Sequence, residues 1–360
     1  MSSKAAQLSI ALKEAEIDAL ILTKQANQRY LEGFTGGDCY MLVSGGAAHL
    51  VADSRYAEMG ERECRTAKIH RFKSPRPSYG EVIAKVAREN GFFRLGFEKN
   101  HMTWGQHEEI EKWTTPEGIE LVPASNPVEK IRAYKTPAEA AFCAEACRIA
   151  DKALRDLLPR IKPGVSELAL ATELDYLMKK GGADEPSFDT MVLFGARSSQ
   201  PHAKPRADAR LEPGDFILID YGACKSGYRS DTTRTFVCGK ASDRQKHAYQ
   251  TVLLAQTSGL AKVAPGVNAR ELCQISLDIL ADAGLPGFEY SIGHGVGLEI
   301  HEEPFMRRGK DVILGPGMIL TIEPGTYIPG WGGVRIEDTV LVTEDGSRVL
   351  TFFPKELMEI

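Results

Sequence analysis

The sequence predicts an α+β protein in which a smaller α/β domain precedes a larger domain with an internal repeat. Its 360 residues exceed the length at which one hydrophobic core usually stops growing, so two domains are expected. The first third alternates helical and strand patterns, and the remainder holds two pairs of similar segments about a hundred residues apart. We place the domains at residues 1–127 and 128–360.

The first domain is predicted from hydrophobic spacing. Leu8 and Leu12 lie on one side of a helical pattern, and Gly45-Gly46 separates two apolar runs as in a hairpin. The predicted elements are a helix at 4–16, a strand at 17–24, hairpin strands at 41–44 and 48–52, a helix near 79–90, a strand at 95–98 and a helix near 103–113.

The domain boundary is predicted from three prolines within residues 122–142, followed by a helix start. Thr136 can cap the helix, Pro137 fits its first position, and Glu139 completes a capping box. A long helix should therefore run to about Leu158.

The repeat of the second domain begins with Pro-Gly turns. Residues 163–166 (Pro-Gly-Val-Ser) recur as 265–268 (Pro-Gly-Val-Asn), and each segment precedes a helical pattern with its last residue as N-cap. Pro213-Gly214 recurs as Pro316-Gly317, and each pair precedes an apolar strand. Duplication explains this better than a chance match, because acidic residues also fall in register.

Each apolar strand ends in a carboxylate, Asp220 or Glu323, and a second carboxylate follows, Asp231 or Glu337. A single acid of this kind would be interpreted as an ordinary residue at a strand end that faces solvent. Ionised carboxylates at the ends of buried strands are costly unless paired or metal-bound, and four in register favour a metal site. Two related halves facing each other would bring the four together.

His294 adds an imidazole to this set, flanked by Gly293 and Gly295, which leave room for close approach. A lone buried histidine is usually a core residue, but these glycines and the nearby His301 favour a ligand. Carboxylates with one imidazole suit manganese, cobalt, iron or zinc. Two such ions with bridging carboxylates make hydroxide available near neutral pH, as in aminopeptidases.

Composition and charge argue against nucleic-acid-binding, membrane and disulfide-rich proteins. The net charge of -5 offers no basic excess for nucleic acid or an anionic membrane. The first residues lack the apolar core of a signal peptide, and no apolar run approaches a membrane span, so a cytoplasmic location is expected. Seven scattered cysteines form no paired framework, and Cys143 and Cys147 are interpreted as buried apolar side chains.

Four motifs now resemble those of the pita-bread metallopeptidases, in order and spacing, over roughly residues 130–360. They are Asp220-Tyr221-Gly222 with Tyr228–Thr235, Gly293–Glu302, Glu323-Pro324-Gly325, and Val334–Asp338. Asp53-Ser54-Arg55-Tyr56 resembles the amino-terminal domain of the creatinase and prolidase branch. The resemblance implies a pita-bread fold in the second domain, and it extends to the short Xaa-Pro peptidases, aminopeptidase P and prolidase.

The resemblance also implies metal ligands. Asp220 would hold one divalent ion, His294 and Glu323 the other, and Asp231 and Glu337 would bridge the two. Manganese (Mn2+) is the expected metal, with cobalt, zinc and iron as alternatives.

Further roles follow by position in the resembling motifs. Glu323 would also act as general base, His202 would lie near the leaving side of the substrate, and His301 would stabilise the tetrahedral intermediate. Arg335 would fix a ligand carboxylate, and Tyr228 would line the proline pocket.

The expected activity is that of an Xaa-Pro aminopeptidase acting on proline-containing peptides, with Xaa-Pro dipeptidase (prolidase) as the alternative. Some such dipeptidases hold the substrate carboxylate with an arginine shortly after the second histidine, where this chain has Phe305. A non-catalytic binding protein or a creatinase would not need the complete ligand set. By resemblance, the first domain mediates a homodimer and limits peptide length.

Overall fold

A computed structural model describes residues 4–73, 75, 77–287, 291–307, 309 and 311–360. The chain divides into two compact units, Met1–Arg132 (unit 1) and Ala133–Ile360 (unit 2). None of the described helices is both long and apolar enough to cross a lipid bilayer.

Unit 1 is a six-stranded mixed sheet with helices. Its elements are α1 (Lys4–Glu14), β1 (Ala19–Leu22), α2 (Gln25–Glu32), β2 (Tyr40–Val43), β3 (Ala48–Asp53), α3 (Ala57–Glu63), β4 (Lys68–Phe72), α4 (Tyr79–Glu89), β5 (Arg94–Glu98), α5 (Trp104–Thr114), β6 (Glu120–Ala124) and α6 (Pro127–Arg132). The strand order is β4-β3-β2-β1-β5-β6. The β2–β3 hairpin is antiparallel, β3–β4, β1–β5 and β5–β6 are parallel, and an apolar core lies between the sheet and α4 and α5.

Unit 2 contains two helix pairs and several antiparallel sheets. Its helices are α7 (Pro137–Leu157), α8 (Glu167–Lys180), α9 (Asp243–Leu260) and α10 (Ala269–Asp282). Its strands are β7 (Glu185–Pro186), β8 (Met191–Phe194), β9 (Phe216–Tyr221), β10 (Ala223–Lys225), β11 (Tyr228–Arg229), β12 (Thr232–Val237), β13 (Ser291–Gly295), β14 (Glu302–Arg307), β15 (Ile319–Ile322), β16 (Gly325–Ile328), β17 (Gly332–Arg335), β18 (Asp338–Val342) and β19 (Ser347–Val349).

Two of these sheets carry the acidic strands. The first has the order β12-β9-β8, and the second has the order β14-β13-β15-β18-β19. Helices α7 and α8 share an apolar core with β8 and β9, and α10 shares one with β13, β15 and β18. Each half of the unit therefore buries one sheet against helices. The smaller sheets are β11-β10-β7 and β16-β17.

The Pro-Gly turns take matching conformations in the two halves. Gly164, Gly214, Gly266 and Gly317 have φ of 89°, 92°, 82° and 90°, a left-handed region that a glycine enters without steric cost. The turns also make matching hydrogen bonds. The backbone N–H groups of Gly164 and Gly266 donate to the carbonyls of Leu211 and Leu314, both at 2.8 Å. The repeat predicted from the sequence is thus a structural repeat.

The predicted helix starts are confirmed. Thr136 accepts a hydrogen bond from the backbone of Glu139, and the Glu139 side chain accepts one from the backbone of Thr136, which forms a capping box at the start of α7. Ser166 and Asn268 cap α8 and α10, as the repeat predicts. The predicted hairpin around Gly45-Gly46 is β2–β3, with Val43 paired to Ala48.

Candidate metal centre and active site

The antiparallel strand pairs of unit 2 place two carboxylates at the same end of each pair. In the first half, Asp220 near the end of β9 is paired with Thr233, and Asp231 immediately precedes β12. In the second half, Ile322 at the end of β15 is paired with Asp338, so Glu323 and Glu337 lie on either side of that end. The buried strands therefore position all four acids.

Hydrogen bonds between β12 and β18 join the two halves at these acids. The Thr233 hydroxyl donates to Glu337 Oε2 at 2.7 Å, and the Glu337 N–H donates to the Thr233 carbonyl at 3.1 Å. The Thr339 hydroxyl donates to the carbonyl of Asp231 at 2.7 Å. The acids that precede these two strands are therefore held face to face.

His294 presents one ring nitrogen to this group. Its Nδ1 lies 3.1 Å from the carbonyl oxygen of Gly295, which can only accept, so Nδ1 carries the proton. Its Nε2 then lies 3.4 Å from Asp231 Oδ2 and 3.4 Å from Glu323 Oε1. A side chain at Gly293 would clash with the carbonyl of Thr321, so glycine is needed for this approach.

The assembled groups fit a divalent metal ion. Ligand atoms of Asp231, His294 and Glu337 all lie within 4.8 Å of one another, and the three residues are buried. Among the described residues, Asp220 Oδ1 and Glu337 Oε1 are buried with no hydrogen-bond partner. Buried carboxylate oxygens without donors are costly, and a bound cation would satisfy them.

The protonation of these acids reflects burial and mutual repulsion. Burial raises the pKa of Asp220, with the nearby Arg335 opposing this change. Burial raises the pKa of Asp231 well above its ordinary value, and the negative charges of Asp220 and Glu323 raise it further. The pKa of Glu337 is raised well above its ordinary value by burial and then by Asp231. A cation would reverse this effect, since it favours the ionised form.

Arg335 is the cation that the chain itself supplies. Its Nη2 forms an ion pair with Asp220 Oδ2, and its Nε donates to the Thr233 hydroxyl at 2.9 Å. Its Nη1 donates to the hydroxyl of Tyr327 at 2.7 Å. Tyr327 was not predicted as a site residue, although it lies only eight residues before Arg335, on the strand paired with the one that ends in Arg335.

A cavity of about 730 Å³ opens over these residues. It is lined by the acids and bases Asp220, Asp231, His294, Glu323, Arg335, His202 and His301, by the apolar side chains Phe188, Met191, Ile300 and Phe305, and by further residues that include Tyr327, Lys204 and Arg307. Its wall is thus partly apolar and partly charged, as in many small-molecule sites.

His301 packs against His294 in this cavity, with ring centroids 4.3 Å apart and planes at 70°. Burial, together with a smaller contribution from the neighbouring His294, lowers the pKa of His301 to about 4. The imidazole is therefore neutral at pH 7 and can donate one N–H to an oxygen in the cavity.

Tyr228 is not brought into the cavity, in contrast to the pocket role predicted for it. Its hydroxyl donates to Glu139 Oε1 at 2.8 Å, and its ring stacks on Phe142 with centroids 5.8 Å apart. Burial raises the pKa of Tyr228, and the carboxylate of Glu139 raises it further, so the phenol stays protonated.

A buried ion pair that the sequence analysis missed lies next to His301. Lys135 Nζ is 2.7 Å from Glu302 Oε1, and the two side chains are 2% and 3% exposed. Glu302 begins β14 directly after His301, so this pair anchors the start of the strand that follows His301 and carries Phe305.

Comparisons with known proteins decide the family. The sequence model of metallopeptidase family M24 matches residues 141–344, more than half of the chain. The chain belongs to metallopeptidase family M24. The model of the creatinase/prolidase N-terminal domain matches residues 5–134 of this M24 peptidase.

Similar proteins align over the whole M24 peptidase. The Xaa-Pro dipeptidase of Pyrococcus horikoshii is 36% identical, with 99% of each chain covered. The structure of an Xaa-Pro dipeptidase from Bacillus anthracis has a TM-score of 0.93 at 39% identity, and that of an X-Pro aminopeptidase from Thermotoga maritima has 0.90 at 28%, each with 99% of both chains covered. Unit 2 therefore has the pita-bread fold predicted from the motifs, preceded by a creatinase/prolidase-type domain.

Proposed function

We propose that this M24 peptidase is an Xaa-Pro dipeptidase that uses two divalent metal ions to hydrolyse the bond between a first residue and proline. The observation that carries the proposal is the grouping of Asp231, His294 and Glu337, with ligand atoms within 4.8 Å of one another, beside a partly apolar cavity. The Xaa-Pro dipeptidases that align over 99% of the chain support the substrate class.

The proposed ligand assignment uses all five groups. Asp220 would hold one ion, His294 and Glu323 would hold the other, and Asp231 and Glu337 would be shared between them. Two observations support bridging: both bridging acids are buried between the halves, and hydroxyl groups of β12 and β18 hold them. Carboxylates with one imidazole suit manganese, which we propose as the metal, and such a pair supplies Lewis acidity and an activated water.

The side chains around the ions perform the proton transfers. Glu323, whose carboxylate lines the cavity, would accept a proton from the attacking water and deliver it to the proline nitrogen as the peptide C–N bond breaks. His301, neutral because its pKa is about 4, donates an N–H to the oxyanion of the tetrahedral intermediate. His202 lines the same cavity and is assigned to the leaving side.

The sequence favoured an Xaa-Pro aminopeptidase over a dipeptidase, and the present proposal reverses that order. That preference rested on Phe305, which stands where an arginine was sought. The structure puts a different arginine, Arg307, in the wall of the cavity. The named dipeptidases share 36% and 39% identity with the chain, against 28% for the aminopeptidase structure, so they favour the dipeptidase. The aminopeptidase remains the second candidate, supported by that structure's TM-score of 0.90.

The test is hydrolysis of Xaa-Pro dipeptides and matching Xaa-Pro-Yaa tripeptides by metal-stripped protein, with and without added manganese. We expect manganese-dependent cleavage of the dipeptides and slow cleavage of the tripeptides. Preferred cleavage of tripeptides would establish the aminopeptidase instead. Failure to cleave either, across manganese, cobalt, zinc and iron, would exclude both peptidases and favour a binding protein.

A further inference from the structure

Thr321 lies between two of the proposed metal ligands. It is on β15, two residues before Glu323, and it is 0% exposed. Residues two apart along a strand share a face, so its hydroxyl is on the side of the Glu323 carboxylate. The neighbouring antiparallel strand β13 carries His294, and its Gly295 is paired with Leu320. This register brings one buried hydroxyl next to both ligands.

The hydrogen bonds of this hydroxyl have only one possible direction. The backbone N–H of His294 donates to Thr321 Oγ1 at 3.1 Å, and Thr321 Oγ1 lies 3.2 Å from Glu323 Oε1. A backbone N–H can only donate, and a hydroxyl has a single proton. Thr321 therefore accepts from His294 and gives its proton to Glu323, so that it ties the main chain of one ligand to the carboxylate of the other.

This restraint acts on the more exposed ligand of the two. The side chain of Glu323 is 24% exposed, against 10% for His294, and fixing a flexible glutamate in one rotamer costs conformational entropy. The oxygen that accepts from Thr321 is Oε1, which also lies 3.4 Å from His294 Nε2. The hydroxyl thus favours the rotamer that brings Oε1 to the imidazole. Two of the other acids are held by different side chains, Asp220 by Arg335 and Glu337 by Thr233.

We propose that Thr321 is a positioning residue for one ion of the pair, the ion assigned to His294 and Glu323, an inference that rests on the ligand assignment of the proposed function. Loss of the hydroxyl should weaken the binding of that ion and spare the ion assigned to Asp220. A hydroxyl that only stabilised the fold would affect both ions alike or neither, because one folded unit supplies all the ligands.

The experiment titrates metal-stripped wild-type protein and Thr321→Val with manganese in a calorimeter. Valine keeps the shape of threonine and lacks the hydroxyl. We expect one of the two binding equivalents to weaken by about 10- to 100-fold, with the other changed by less than about threefold. Thr321→Ser, which keeps the hydroxyl, should bind both ions nearly as the wild type does. The matched control is Thr326→Val, since the buried Thr326 hydroxyl has no hydrogen-bond partner among the described residues, and it should change neither ion.

Pulsed electron paramagnetic resonance identifies which ion is weakened. Only a manganese ion bound to His294 should show coupling to an imidazole nitrogen. The wild type with two equivalents of manganese should show this coupling, and Thr321→Val with one equivalent should lack it. If the coupling persists in Thr321→Val at one equivalent, the ion assigned to His294 is not the weakened one, and the role of Thr321 is overturned.

A second pair of variants keeps the test decisive if Thr321→Val does not fold. Thr321→Ser and Thr321→Ala differ by the hydroxyl alone, so the alanine variant should show the same selective loss relative to the serine variant. Equal weakening of both ions, or of neither, overturns the positioning role. A wild type that binds two ions but cleaves no Xaa-Pro peptide overturns the proposed function, while the titrations still decide the role of Thr321. A wild type that binds fewer than two ions overturns both.

Discussion

Asp231 is one of two acids of the site whose pKa is raised well above its ordinary value by burial and by neighbouring negative charge. It is buried, and Asp220 and Glu323 add negative charge to its surroundings. Without a cation, burial and repulsion favour its protonated form, which is a poor metal ligand. A bound metal ion would offset the cost of burying this carboxylate. The uncharged variant Asp231→Asn tests that conclusion.

Asp231→Asn should remove both metal and activity. Replacing a residue that only supports a metal ligand typically costs 10- to 100-fold in metal affinity or activity, and loss of a bridging ligand should cost at least about 100-fold. Metal content by elemental analysis and kcat/KM on an Xaa-Pro substrate are measured together. The exposed Asp278, on α10, provides the control Asp278→Asn, which should retain both. A fully active Asp231→Asn protein would contradict the ligand assignment.

The sequence predicted the acidic residues of this site better than it predicted the side chains that hold the site in place. Asp220 and Glu323 follow apolar strands, and such strands bring their end residues to one edge, so their grouping could be anticipated. The ion pair of Lys135 with Glu302 could not, because it joins segments far apart in the chain. Tyr327 lies only eight residues before Arg335, but nothing in the sequence marks it as a partner of that arginine. Tyr228 belongs to a motif, but its hydroxyl donates to Glu139, a contact that the motif does not indicate.

At the level of elements, turn and capping residues predicted where helices and strands begin. The capping box of Thr136 and Glu139 marks the start of α7, and the Pro-Gly turns precede β9 and β15. Strand pairing was harder to predict from the sequence, because the register of a strand depends on a partner strand far along the chain. The pairing of His294 with Phe305, with bulges on β13–β14, has no local signal in the sequence.

The ion pair of Lys135 and Glu302 should be the strongest electrostatic support of β14. Lys135→Met removes the cationic partner of the buried Glu302 carboxylate, which should destabilise the protein by about 3–5 kcal/mol. The double variant Lys135→Met/Glu302→Leu removes both charges and should recover much of this loss. Urea unfolding of the metal-free proteins measures both effects. A single variant as stable as the wild type would show that the pair contributes little.

At the scale of the whole molecule, the two units have separate cores and only one holds the proposed metal ligands. Any stabilisation by metal should therefore begin in unit 2. The three tryptophans make this measurable, because Trp104 and Trp113 lie in unit 1 and Trp331 in unit 2. Trp331 packs edge-on against Phe216, so its fluorescence reports the packing of β9.

The last prediction concerns this metal-linked stability and its dependence on pH. Metal at 100 times its Kd stabilises the folded state by about 2.7 kcal/mol, or roughly 5–10 °C in Tm for a unit of this size. The raised pKa values of Asp231 and Glu337 mean that the folded, metal-free protein binds protons more readily than the unfolded chain. Its free energy of unfolding therefore rises as the pH falls through those pKa values. Metal needs the ionised carboxylates, so its stabilising effect should shrink from pH 7.5 to 5.5.

Thermal unfolding of the wild type and of Trp331→Phe, with and without manganese, separates the two units. The wild-type fluorescence should contain a transition that manganese raises, and this transition should be missing from Trp331→Phe, whose signal comes from unit 1 alone. Far-ultraviolet circular dichroism of Trp331→Phe should still detect the metal-raised transition, because unit 2 remains intact. An equal shift in the Trp331→Phe fluorescence would mean that the units unfold as one, and a shift that grows at pH 5.5 would contradict the carboxylate ligands. Because protons and metal compete for the same buried oxygens, only a metal-induced shift that is lost in acid is consistent with the proposed site, whether the units unfold separately or together.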